Sequence, residues 1–153
     1  MTFKQLSWGV KESFRGYVEA MEGTITCEEG ANRVDSGVFT FDAAPGGDLR
    51  FADDGSASGT LDLKGSVTFE AHGGMLKSTL AELRLEAQEA GLFITVLEAP
   101  MNQSRCAIAK LYLEETNDNG VTLRCEITVD GMYQIADNYP PGTELDQVQL
   151  SRA

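Results

Sequence analysis

The stretch Leu61-Asp62-Leu63-Lys64-Gly65-Ser66-Val67-Thr68-Phe69-Glu70-Ala71-His72-Gly73-Gly74 decides how the chain is read. Apolar side chains fall on odd positions (Leu61, Leu63, Val67, Phe69, Ala71) and polar ones on even positions (Asp62, Lys64, Ser66, Thr68, Glu70). A period of two is the signature of strands with one face on a core. His72, the chain's single histidine, continues the even, polar face and is expected to point away from the core that receives Phe69. Gly73 and Gly74 can take positive φ, so the strand is expected to turn sharply there. Imidazole changes charge near neutrality, and either ring nitrogen can ligate a metal or bond a ligand's partner. Taken alone, such a corner is more often a plain turn than a site.

On the N-terminal side, Ser7 is placed to cap a helix whose apolar residues Val10, Phe14, Tyr17, Val18 and Met21 follow helical spacing. Lys11, Glu12, Arg15 and Glu19 then face solvent, and Gly9 and Gly16 suggest a close neighbour. By periodicity alone Tyr17 is a core tyrosine. Short strands follow around Ile25 and Cys27, around Phe39 and Phe41, and around Leu49 and Phe51, with a turn at 28–32 and a polar loop at 52–59.

On the C-terminal side, residues 76–90 fit both periods, and helix propensity alone favours a helix. A β-rich run at 92–97, separated from 83–88 by Glu89-Ala90-Gly91, makes a hairpin the better reading. Residues 105–114 and 121–130 form a second hairpin around Asn117-Asp118-Asn119-Gly120, and its second arm should bury Val121, Leu123, Cys125, Ile127 and Val129. Matching Leu111 and Leu113 to that face requires an odd-to-odd register. Cys106 then projects away from Cys125, which argues against a disulfide between the arms. A loop at 138–142 and a last short strand complete the chain. The expected fold is mainly β, with about ten strands in two packed antiparallel sheets, sandwich-like, and one N-terminal helix across an opening.

The 153 residues are expected to form a single domain, 1–153, and 42% apolar composition suffices for a core. A net charge of −12, from 24 acidic and 12 basic residues, opposes nucleic acid and anionic membranes. No apolar run approaches the roughly 20 residues of a membrane span, and no signal peptide is evident. The three cysteines, Cys27, Cys106 and Cys125, lack metal-ligand spacing and read as reduced and partly buried. There is no phosphate loop and no Ser-His-Asp order to pursue. Acid pairs such as Asp53 and Asp54, or Glu28 and Glu29, read as solvated loop charges.

Two separated stretches become informative together. Trp8-Gly9-Val10-Lys11-Glu12-Ser13-Phe14-Arg15-Gly16-Tyr17 and the His72-Gly73-Gly74 corner resemble the HtaA-type haem-binding domain of actinobacterial haem uptake proteins, which opens with Trp-Gly-Val-Lys-x-Ser-Phe-x-x-Tyr and later carries His-Gly-Gly. The ending from Tyr139 to Val148 resembles the family's closing Tyr-x-x-Gly-x-x-Leu-Asp-Pro-Val.

The resemblance implies a sheet-rich fold that binds haem b, with Tyr17 as the axial iron ligand and His72 bonding that tyrosine's oxygen. It also puts Ser13 near a haem propionate. Phenolate is a hard oxygen donor suited to ferric iron, and an imidazole beside it helps to hold it deprotonated. Phe14 and Val18 would supply apolar wall. Where the family commonly has Phe-Tyr, this sequence has Asn138-Tyr139, so stacking on the porphyrin comes from Tyr139 or is absent.

The implied role is non-enzymatic haem binding and transfer, with another haem carrier or a transporter component as partner. Two other readings stand beside it: an interaction module of the same fold that binds no haem, and a small enzyme for which only His72 offers proton transfer. The expected location is the cytoplasm for the chain as it stands, or the cell envelope if it is a domain of an exported precursor.

Overall fold

The computed structural model describes residues 2–99, 102–136 and 138–153. Strand β1 (Phe3–Trp8) leads into helix α1 (Glu12–Ala20), followed by β2 (Thr24–Glu28), β3 (Asn32–Arg33) and β4 (Phe39–Asp42). Next come β5 (Arg50–Phe51), β6 (Ala57–Ser58), β7 (Thr60–Asp62), β8 (Ser66–Ala71), β9 (Leu76–Ala81), β10 (Arg84–Gln88) and β11 (Gly91–Ala99). The chain closes with β12 (Asn102–Asn117), β13 (Gly120–Ile127), helix α2 (Val129–Gln134) and β14 (Glu144–Arg152).

Nine strands form one antiparallel sheet in the order β3-β4-β1-β14-β13-β12-β11-β10-β7, and β2-β8-β9 form a second. The small β5-β6 pair stands apart from both. The mainly β, sandwich-like architecture with a helix near the N-terminus thus agrees with the expectation. Leu61, Leu63, Val67, Phe69 and Ala71 are all buried, as the alternation requires. They join Trp8, Phe14, Phe39, Phe41, Leu85, Ile94 and Leu123 in one core.

Residues 76–81 and 84–88 are strands, because β9 pairs with β8 and β10 pairs with β11 and β7, which outweighs local helix propensity. The β12–β13 hairpin pairs Ala109 with Ile127, Leu111 with Cys125 and Leu113 with Leu123, the odd register read from the sequence. A bulge before Glu115 then shifts it. All three cysteines are free.

Six expectations are corrected. Ser7 caps nothing: it lies in β1, opposite Gln149 and Thr40, and the helix starts at Glu12. Residues 129–130 do not extend β13 but begin α2, whose first turn is capped by the Thr128 hydroxyl, and Val129 is exposed. Odd spacing of apolar residues carried the strand reading two positions too far. Arg15 is buried rather than solvent-facing, and Tyr17 is 44% exposed rather than in the core. Both follow from the position of α1, which packs against both sheets and leaves only one flank open. Finally, β14 is a nine-residue central strand, and the described residues hold fourteen strands rather than about ten.

Candidate functional site

A nine-residue helix is too short to be stable by itself, so α1 depends on what holds it. Phe14 and Val18 face the core, and the Phe14 ring lies 4.9 Å from that of Phe69 on β8. On the opposite flank, Arg15 Nη1 donates to Asp146 Oδ2 at 2.6 Å and to the Gly9 carbonyl at 2.7 Å. The other carboxylate oxygen of Asp146 accepts from Glu12 N at 3.0 Å, an N-cap supplied by β14 rather than by the helix's own approach. Trp8 Nε1 donates to the Asp146 carbonyl, and Asp146 N donates to the carbonyl of Val10. Gly9 has no room for a side chain, since a Cβ there would stand 2.2 Å from Arg15 Nη1 and 2.5 Å from Asp146 Oδ2. Trp8, Gly9, Arg15 and Asp146 therefore build the joint under the helix. The flank of α1 left open carries Ser13, Gly16, Tyr17 and Ala20.

Strand β8 ends in a tight left-handed turn, with φ of 56° at His72, 65° at Gly73 and 93° at Gly74. Glycine takes such angles freely, and histidine is among the few other residues that do so with any regularity. The space around Gly73 is open, so the turn needs the glycine for its backbone angle rather than for room. This turn directs His72 Nε2 to within 2.6 Å of the Tyr17 hydroxyl, and the rings lie 5.7 Å apart between centroids.

Beyond Tyr17 opens a groove of about 530 Å³, within the usual range for a small-molecule site. One wall is Phe14 and Tyr17, the His72 corner gives Met75, β9 gives Leu76 and Lys77, and α2 with its following segment gives Met132, Tyr133, Ile135 and Ala136. Asn138 and Tyr139 close one end. The Ser78 hydroxyl donates to the carbonyl of Gln134 and so ties the end of α2 to β9. Tyr17, Met75 and Tyr133 are 44%, 91% and 73% exposed. Large apolar surface is thus left in water along a single concavity.

The residues singled out in the sequence fall into three positions. Tyr17, Phe14 and Tyr139 line the groove. His72 and Ser13 lie behind it, His72 on the Tyr17 oxygen and Ser13 Oγ 3.0 Å from the Tyr139 hydroxyl. Val18 is fully buried and is not part of the wall. Tyr139 also meets Phe14 edge-on and carries the Lys11 ammonium 5.6 Å above its ring. The wall formed by β9 and α2 was not foreseen. Met132, Tyr133 and Ala136 have helical spacing, but that signal is short and follows directly on a strand.

Among the described residues no three His, Cys, Asp or Glu side chains converge to cage a metal ion. Cys27, Cys106 and Cys125 do not line the groove, and burial pushes their thiols above the ordinary thiol range. The groove thus offers three phenols, of Tyr17, Tyr133 and Tyr139, on a lining of mixed polar and apolar character, and of these Tyr17 is the one bonded to the imidazole. A phenol oxygen held by an imidazole is a donor suited to a ligand that carries a hard Lewis-acid centre. No described helix is long and apolar enough to cross a membrane.

The family model Htaa matches residues 4–151. Among solved structures, the C-terminal domain of HtaA from Corynebacterium glutamicum is 26% identical, with a TM-score of 0.73 over 97% of this chain and 96% of that one. The N-terminal domain of the same protein is 20% identical, with a TM-score of 0.74 over 99% and 98%. Heme binding protein HtaB from the same organism is 17% identical, with a TM-score of 0.70 over 97% and 91%. No curated protein is significantly similar to the chain.

Proposed function

From the premise that the chain belongs to the HtaA family, we propose that it binds haem b and passes it on without catalysing a reaction. The observation that carries this reading is the 2.6 Å contact between Tyr17 and His72 at the edge of the groove. Bound haem would supply a ferric centre that takes a hard oxygen donor. Tyr17 would be that donor, and His72 would accept the phenol's proton or donate to its oxygen, favouring the phenolate. Phe14, Leu76, Ile135 and Ala136 would exclude water from the ligand's apolar surface. The Ser13 and Tyr139 hydroxyls and the Lys77 ammonium are the groups suited to bond carboxylates.

A carrier role is supported by what surrounds the donor. Beside Tyr17 the groove presents thioethers, aromatic rings and aliphatic carbon together with Lys77, Asn138 and two further phenols, and the one imidazole is engaged with the Tyr17 hydroxyl. The partner would be a second haem-binding protein or a transporter component.

The test is titration of the purified chain with ferric haem, followed by absorbance. A Soret band saturating at one haem per chain, with the charge-transfer signature of phenolate ligation, is expected. Tyr17→Phe, which deletes only the oxygen, should keep the fold and lose most of the affinity. Binding of equal strength by Tyr17→Phe would overturn Tyr17 as the ligand. The absence of any band in the wild type would leave an interaction module of the same fold.

A further inference from the structure

We propose that Asp146, in ion pair with Arg15, is a positioning residue for the Tyr17–His72 contact: it sets the rotation of α1 that brings the phenol to the imidazole. This inference rests on the haem-binding reading for its functional meaning, and on the ligand-free structure for its geometry.

Two kinds of contact hold α1. Its core face packs through Phe14 and Val18, and such apolar contact fixes distance while leaving the helix free to turn or slide by small amounts. Directional bonds come from Asp146, which reaches the first turn at Glu12 N and the next part of the helix at the Arg15 guanidinium, and from two more exposed contacts, Ser13 with Tyr139 and Glu19 with Arg33. Arg15 is buried and the Asp146 side chain is partly exposed, so water screens this pair only in part.

The approach to the helix is held from the same residue. Val10 has a φ of 64°, which a β-branched side chain strongly resists. Its carbonyl is bonded by Asp146 N at 2.9 Å, and its neighbour Trp8 is bonded to the Asp146 carbonyl at 3.0 Å. A strained residue persists only where its surroundings over-determine it, and here Asp146 supplies several of those constraints.

A tyrosine oxygen stands roughly 7 Å or more from its helix axis, so a turn of about 10° carries it roughly 1.2 Å. That displacement is enough to break a hydrogen bond of 2.6 Å. Tyr17 follows Arg15 by two residues and so leaves the helix on the far flank. Loosening the Arg15 anchor therefore moves the phenol across the face of His72 instead of toward or away from the core.

The experiment reads His72 directly in the ligand-free protein. It is the only histidine, so its ring ¹⁵N signals need no assignment, and the Nε2 shift reports the bond to Tyr17. In Asp146→Asn, which retains an oxygen able to cap Glu12 N, that shift should move toward its value in Tyr17→Phe. In Leu85→Ala, a core loss on β10, it should stay at the wild-type value. A folded Asp146→Asn protein with the wild-type shift overturns the proposal.

If the single variant fails to fold, Arg15→Met/Asp146→Asn, which leaves no buried unpaired charge, decides by the same reading. Haem loss to apomyoglobin should be about tenfold faster in the Asp146 variants than in the wild type. Equal loss rates in Asp146→Asn and Leu85→Ala would also overturn it. A wild-type chain that takes up no haem refutes the haem-binding reading, while the His72 shift still decides the positioning role.

Discussion

Phe14 and Phe69 touch inside the core at 4.9 Å, and Tyr17 and His72 touch at the surface at 2.6 Å, each three residues further along its own chain segment. The inner contact holds helix α1 against β8, and the outer one forms where the two segments leave the core. The inner contact thus sets the separation of helix and strand at which the outer one can form.

Replacing Phe69 by alanine should cost about 3–5 kcal/mol through the lost burial and the cavity left behind. The same variant should lose the Tyr17–His72 bond even in the folded fraction. Urea unfolding gives the first quantity and the His72 ring ¹⁵N shift the second. A variant with reduced stability and an unchanged shift would show that the two contacts are independent.

His72→Ala should weaken ferric haem binding less than Tyr17→Phe does, because it removes the partner of the donor and leaves the donor. A loss of about 10–100-fold is the usual effect of deleting such a supporting group. The ferric spectrum should shift but keep its phenolate signature. A spectrum matching that of Tyr17→Phe would instead make His72 essential for ligation.

At Gly73 a side chain would meet nothing within 4 Å, yet φ is 65°. Gly73→Ala should therefore cost only the backbone penalty, about 1 kcal/mol. The turn that aims His72 should relax with it, so haem affinity is expected to fall in parallel with a small loss in melting temperature. Wild-type affinity in this variant would mean that the corner tolerates an ordinary residue.

Burial, followed by the charges of Asp146 and Glu126, pushes the Cys125 thiol up from its ordinary value of 9.0. An acid whose folded form resists ionisation contributes stability that is fully present below the unfolded thiol's pKa and is lost as pH rises above it. Urea midpoints should thus fall above about pH 9, at up to about 1.4 kcal/mol per pH unit for this group, and more gently in Cys125→Ala. At pH 8 the native chain should leave Cys125 unalkylated by iodoacetamide, with labelling on unfolding.

Much of this arrangement was legible in local patterns. Leu61 to Ala71 announced their buried face by alternation, and the Leu111–Cys125 register followed from matching apolar faces. The His72 corner was read from two glycines that do adopt left-handed angles. What the local pattern could not carry was anything set by a distant partner. Arg15 reads as a solvent-facing helix residue until Asp146, 131 positions away, is known to lie beside it. Tyr17 reads as core because periodicity does not reveal that the layer above it is an open groove. The α2 wall was lost because Val129 prolongs the alternation of β13 by one more odd position before the chain turns into a helix.

The first and last strands lie side by side, with Phe3 opposite Arg152 and Ala153 N bonded to the Thr2 carbonyl at 2.9 Å. A load applied to the two ends would open this seam as a zipper, breaking one pair at a time instead of shearing the whole ladder at once. The tear would run toward Trp8 and Asp146, where the seam meets the anchor of α1. Tension on the chain would thus detach the helix bearing Tyr17 while β8 to β13 still held together, dismantling the groove at a lower force than the sheet behind it.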